Sequence, residues 1–172
     1  IPLMVDANMR WTVAQSIRAS HAFGEYDVYW LEEPTIPDDV DGHIRIEREG
    51  PVPGCTGENR HTIYEFQKMI AGGGVSFPDA DMSNIGGITG WMKVAHLAEA
   101  SNLPITTHGI HDLHLQTLAA VPNASLLEVH GFGLEPYLKH TIRIEDGFAV
   151  APERPGHGVA FHWDRLAEYE AR

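Results

Sequence analysis

The sequence predicts an α/β chain in which six successive βα units supply parallel strands to a (β/α) barrel, followed by a tail of different character. Three observations predict it. Short apolar runs alternate with amphipathic stretches over residues 1–130, which is the pattern of repeated βα units. Several of those runs end on a carboxylate, as active-site strands of a parallel barrel do. After Glu128 the alternation gives way to segments punctuated by Gly and Pro, from Gly131 to Pro136 and from Pro152 to Gly158.

Taken in order, the strand candidates are Leu3 to Val5, Val28 to Leu31, Val52 to Cys55, Val75 to Phe77, Ile105 to Thr107 and Leu126 to Glu128. Each is short, as barrel strands are. Helices are expected at Val13 to Phe23, Val40 to Glu49, Ile63 to Ala71, Thr89 to Ala100 and Leu113 to Ala120, the last stopping before Pro122. The fourth puts Trp91, Val94, Ala95 and Ala98 on one stripe at helical spacing, which should face the sheet. A hairpin is expected within Thr141 to Val150. Residues 1–130 thus read as a partial barrel and 131–172 as a tail that packs on the barrel or on a capping domain. A barrel of this kind closes with about eight strands, so two are expected to precede Ile1, where the chain opens without Met and already in a strand.

Composition narrows the function. The chain has 172 residues, 43% hydrophobic and 21% charged, which is ordinary for a folded domain. Its net charge of -12 and the lack of any Lys or Arg run argue against nucleic acid and against an anionic membrane surface. Cys55 is a single cysteine, read as a small core residue, and no apolar run reaches the ~20 residues of a spanning helix, so the expected compartment is the reducing cytoplasm.

Asp6, Glu32 and Glu58 follow three consecutive strands at equal spacings of 26 residues, about one βα unit. Three carboxylates aimed at one point repel unless a cation sits among them, and an all-oxygen shell suits Mg²⁺, or Mn²⁺, over zinc. Each acid taken alone could instead cap a helix or pair with Arg. Asp81 and His108 are 27 residues apart, again one unit, and a carboxylate beside a histidine makes a general acid–base pair. Asp79 competes with Asp81 for that role. Glu128 ends the sixth strand among apolar residues, where burial would favour a neutral acid able to stabilise an oxyanion, or where it would pair with Arg or Lys.

Asn8, Arg60 and His111 are the candidate substrate contacts, against a turn former, an exposed helix-start Arg and a helix-start face respectively. Glu33 should point away from Glu32 and hold a Lys or Arg. Gly86 and Gly87 either present N–H groups to an anion or let a helix approach the sheet closely. His108, His111 and His114 lie three apart, which leaves a zinc hydrolase barrel as a reading of another class, and a non-catalytic fragment as a third.

These residues, with Glu-Glu-Pro, Gly-Glu-Asn and Gly-Gly-Ile-Thr in order, resemble the C-terminal barrel portion of the mandelate racemase subgroup of the enolase superfamily, over nearly the whole chain. The resemblance implies a (β/α)₇β barrel whose N-terminal capping domain and first strands lie outside this chain. It implies Mg²⁺ held by Asp6, Glu32 and Glu58, an Asp81–His108 dyad, and Glu128 bonded to the substrate carboxylate. The implied chemistry is abstraction of the proton α to a carboxylate, with dehydration of an acid sugar expected ahead of racemisation or cycloisomerisation. The implied partners are a small carboxylate and, for the full-length protein, further copies of itself, with the fragment alone inactive. The family's Lys-bearing strand is not in this chain.

Overall fold

The computed structural model describes residues 1–130 and 134–170. Six strands, β1 (Leu3–Asp6), β2 (Val28–Glu32), β3 (Gly54–Thr56), β4 (Phe77–Ala80), β5 (Ile105–Thr107) and β6 (Ala124–Leu127), form one parallel sheet in sequential order. Helices α1 (Val13–Gly24), α2 (Val40–Glu49), α3 (Ile63–Ala71), α4 (Ile88–Ala100) and α5 (His111–Leu118) connect consecutive strands. The sheet is curled: Met4, Trp30, Cys55, Asp79, Thr106 and Leu126, one residue from each strand, line a single cavity of about 270 Å³. All six strands run the same way, so their C-terminal ends gather on one rim.

Local chemistry explains the element ends. Thr12 with Gln15 and Thr62 with Glu65 form reciprocal capping boxes at the starts of α1 and α3, and Asp39 accepts the Gly42 N–H at the start of α2. The stripe on α4 is buried as expected: Trp91, Val94, Ala95 and Ala98 pack with Phe66, Ala80, Met82 and Ile105 in the layer between helices and sheet. Trp91 also satisfies its indole, donating Nε1–H to the Ala80 carbonyl at 3.0 Å.

Some boundaries differ from the sequence expectation. The third strand begins at Gly54, because Pro51 and Pro53 lack the N–H a ladder needs, and the fourth runs through Pro78 to Ala80. The sixth spans Ala124–Leu127, placing Glu128 just beyond the strand. Helix α5 starts at His111, two residues early. Both Gly86 and Gly87 hold φ near +90°, and a methyl built on either meets nothing within 4 Å, so the turn needs their conformation and not a close approach of helix to sheet.

In the tail, β7 (Arg143–Glu145) and β8 (Phe148–Val150) form the expected hairpin, and a short helix α6 (Trp163–Leu166) follows that apolar periodicity had not revealed. The tail touches the sheet layer through α5, where Gln116 Nε2 donates to the Pro152 carbonyl at 2.6 Å. The expected boundary at Gly131 lies outside the described residues. No helix of the described residues is long and apolar enough to cross a membrane.

Candidate active site

Strand order brings the predicted carboxylates to one rim. Asp6 and Glu32 are register partners at the ends of β1 and β2, and Glu58 follows β3 by two residues. The trio whose oxygens lie within 4.8 Å of one another is Glu32, Glu58 and Asp79, the last facing inward from β4. Asp6 stands next to this cluster but outside it: it is exposed, and its Oδ1 accepts the Asn8 N–H at 2.7 Å, a local turn that fixes its side chain. Its charge is still felt by both Glu32 and Glu58. Among the described residues this carboxylate cluster is where a metal ion could be held.

The cluster is electrostatically costly without a cation. Burial pushes Glu32 up to about 7, the Trp30 indole bond at 2.9 Å opposes this, and Asp6, Glu58 and Glu128 add to it. Burial raises Asp79 well above the usual range, with Glu32, Glu33 and Glu58 acting the same way. Apart from the buried Cys55 thiol beside it, Asp79 has no hydrogen-bonding side chain of its own. Several carboxylates crowded at one rim, more than the nearby His108 can balance, fit a hard divalent ion.

The dyad is formed by Asp81. His108 follows β5 and places Nδ1 at 2.7 Å from Asp81 Oδ2, while Nε2 lies 3.3 Å from Glu58 Oε2. The Ser83 backbone N–H and hydroxyl both reach Asp81 Oδ1. Burial works against ionising either partner, yet the bonds from His108 and Ser83 keep Asp81 low, while Asp81, Glu58 and Glu128 carry His108 up to about 9. Glu128 is half-buried, and its Oε2 accepts the Gly109 N–H at 2.6 Å; as found it acts as an acceptor.

Residues 1–165 match the model of the family described as Enolase C-terminal domain-like. The chain belongs to that family. This enolase-like domain is 50% identical over 165 residues to the 3,6-anhydro-alpha-L-galactonate cycloisomerase of Streptomyces coelicolor, spanning 96% of this chain and 46% of that one. It superposes with a TM-score of 0.93 and 48% identity on a racemase from Streptomyces coelicolor A3(2) with bound magnesium, covering 98% of this chain and 46% of that one. The L-talarate dehydratase from Polaromonas sp. JS666, complexed with Mg and L-glucarate, gives a TM-score of 0.91 at 33% identity over 97% of this chain and 46% of that one. The chain therefore spans about half the length of these relatives.

The other predicted residues of the enolase-like domain are placed differently. Arg60 is buried at 2% exposure, not an exposed helix-start residue, and it lines a separate groove with Met9, Asp38, Asn59 and Glu65. Asn8 is exposed with φ +44°, the left-handed geometry of a turn. His111 is buried in the first turn of α5 with Nε2 3.3 Å from Asp112, so it forms no exposed wall. His114 is fully buried, its Nε2 accepts the Met82 N–H at 3.2 Å, and burial lowers it to about 4. That nitrogen is engaged by the backbone, which counts against a zinc site shared with His111. Glu33 is also buried and takes its hydrogen bonds from Asn59 and Thr56, not from a Lys or Arg. Asn59, Trp30 and the inward role of Asp79 were missed; Asn59 stood in the Gly-Glu-Asn segment, where nothing local shows what its amide would reach.

Proposed function

We propose that the protein carrying this chain removes the proton α to the carboxylate of an acid sugar, stabilises the resulting enolate, and expels the oxygen on the β carbon. The observation that carries this reading is His108, held by Asp81 on one ring nitrogen and directed by the other at the carboxylate cluster. Asp81 fixes the ring so that Nε2 is the nitrogen that exchanges a proton with substrate. Glu32 and Glu58, joined by Asp6 from the adjacent strand, would hold Mg²⁺, for which Mn²⁺ can substitute. When bound, the ion supplies Lewis-acid stabilisation of the substrate carboxylate as it gains enolate charge. Glu128, at the next strand end, faces the same cavity as Glu32 and would bond the substrate carboxylate when protonated.

His108, raised by Asp81 and the nearby glutamates, would deliver its proton to the departing β oxygen, while the α proton would pass to a base of the full-length protein on the other face of the α carbon. Loss of that oxygen as water is the dehydratase reading, which the Polaromonas relative's name supports. The 50% identical relative favours a second reading. In a 3,6-anhydro acid the C3 oxygen belongs to an ether ring, so the same elimination opens the ring and conserves mass.

Incubation of the full-length protein with Mg²⁺ and a panel of aldonic, aldaric and 3,6-anhydro acids tests both. A 2-keto-3-deoxy product is expected, lighter than substrate by one water for dehydration and equal in mass for ring opening. His108→Asn should lower turnover by ~10²–10⁴-fold. Exchange of the α hydrogen with solvent, with no keto product from any acid, would instead leave racemisation.

A further inference from the structure

Asn59 spends both hydrogens of a single amide on two carboxylates. Its Nδ2 donates to Glu33 Oε2 at 2.8 Å and to Glu58 Oε1 at 3.1 Å, with the Met9 sulfur 3.6 Å from the same nitrogen. Glu33 is a fixed anchor for this bridge. Its side chain is fully buried, and its other oxygen accepts the Thr56 hydroxyl at 3.4 Å. Its backbone has φ +37°, pinned by N–H donation to the Cys55 carbonyl at 3.0 Å and by acceptance from the Met9 N–H at 2.7 Å. A non-glycine residue holds that conformation only where its surroundings over-determine it.

The consequence falls on Glu58. With Oε1 tied to Asn59, the carboxylate cannot rotate freely, and Oε2 is the oxygen left facing His108 Nε2 and the cluster. We propose that Asn59, braced by buried Glu33, is a positioning residue that holds Glu58 with Oε2 directed to a divalent cation. This rests on the reading of Glu58 as a metal ligand. Groups that orient a ligand act through the ligand's geometry, so their removal weakens the metal without touching it.

The test is Mn²⁺ binding to the full-length protein, followed by electron paramagnetic resonance and titration calorimetry. Asn59→Ala should weaken Mn²⁺ by ~10–100-fold and change the spectrum of the bound ion. The unfolding midpoint in chelator should fall as well, because buried Glu33 loses a donor, so the affinity and the spectrum of Mn²⁺, read on the folded variant well below that midpoint, are what separate positioning from a purely structural role. If Asn59→Ala does not fold, Glu33→Gln serves: it keeps the side-chain volume, weakens the acceptor, and should loosen Mn²⁺ several-fold, on the order of 10-fold or less. Unaltered affinity and spectrum in the folded variant overturn the role of Asn59 alone. Absence of Mn²⁺ binding by the unaltered protein overturns the metal reading with it.

Discussion

Asp6 and Asp79 compete to be the third partner of Glu32 and Glu58, and the two acids differ in what they lose when neutralised. Asp6 is exposed and spends one oxygen on its own turn, which leaves the other available to an ion. Asp79 is buried, with the Cys55 thiol beside it and three glutamates around it. Asp6→Asn should therefore weaken Mg²⁺ by at least ~10-fold while leaving metal-free stability nearly unchanged. Asp79→Asn should stabilise the metal-free protein by ~1 kcal/mol or more, a rise of about 2–4 °C in its melting temperature, because it removes a carboxyl that folding must either protonate or bury charged. Calorimetric titration and thermal unfolding in chelator read the two effects separately. If Asp79→Asn abolishes metal binding and Asp6→Asn does not, the cation is held by the inner trio instead.

Among the elements, helix α4 shows how far a pattern can be trusted. Its buried stripe is a local property of spacing, so it was legible in the sequence, and all four of its residues are fully excluded from solvent. Trp91→Ala would open a cavity at the centre of that layer and remove the indole donor to the Ala80 carbonyl, costing ~3–5 kcal/mol by urea unfolding. A loss under about 1 kcal/mol would mean that the layer collapses around the gap. Strand limits were less legible because side chains of adjoining elements help set them: besides the two prolines before it, Gly54 begins its strand with its N–H on Glu47 Oε2 at 2.7 Å. Spacing likewise predicted that Asp81 and His108 would meet, since one βα unit separates neighbouring strand ends. It gave no sign that Arg60 would be buried, that Asp79 would face inward from β4, or that Asn59 would join two glutamates, because each depends on how side chains from neighbouring strands and loops pack together.

At the scale of the whole molecule, net charge -12 and a rim of inward acids set how stability responds to pH and to metal. Burial raises Glu32 from an ordinary 4.5 to about 7 in the metal-free fold, and Glu33 to about 7 as well. A raised carboxylate binds its proton more tightly folded than unfolded. The destabilisation it causes is therefore absent below pH 4.5, grows between 4.5 and 7, and is complete above 7. Mg²⁺ requires the ionised form and so competes with that proton, less as pH rises above 7 and increasingly below it. His43 and His114, lowered by burial to about 4, have the opposite sign: they favour the fold above their ordinary 6.5 and weaken it as pH falls from 6.5 toward 4. Their contribution is the same with or without metal and cancels when the two are compared. The difference in melting temperature between Mg²⁺-loaded and chelated full-length protein should thus be largest near pH 8, reflecting ~2.7 kcal/mol at an ion concentration about a hundredfold above Kd, and should fade toward pH 5. Scanning calorimetry at both pH values checks this, and a metal increment that stays constant from pH 8 to 5 would remove the buried glutamates from the binding site.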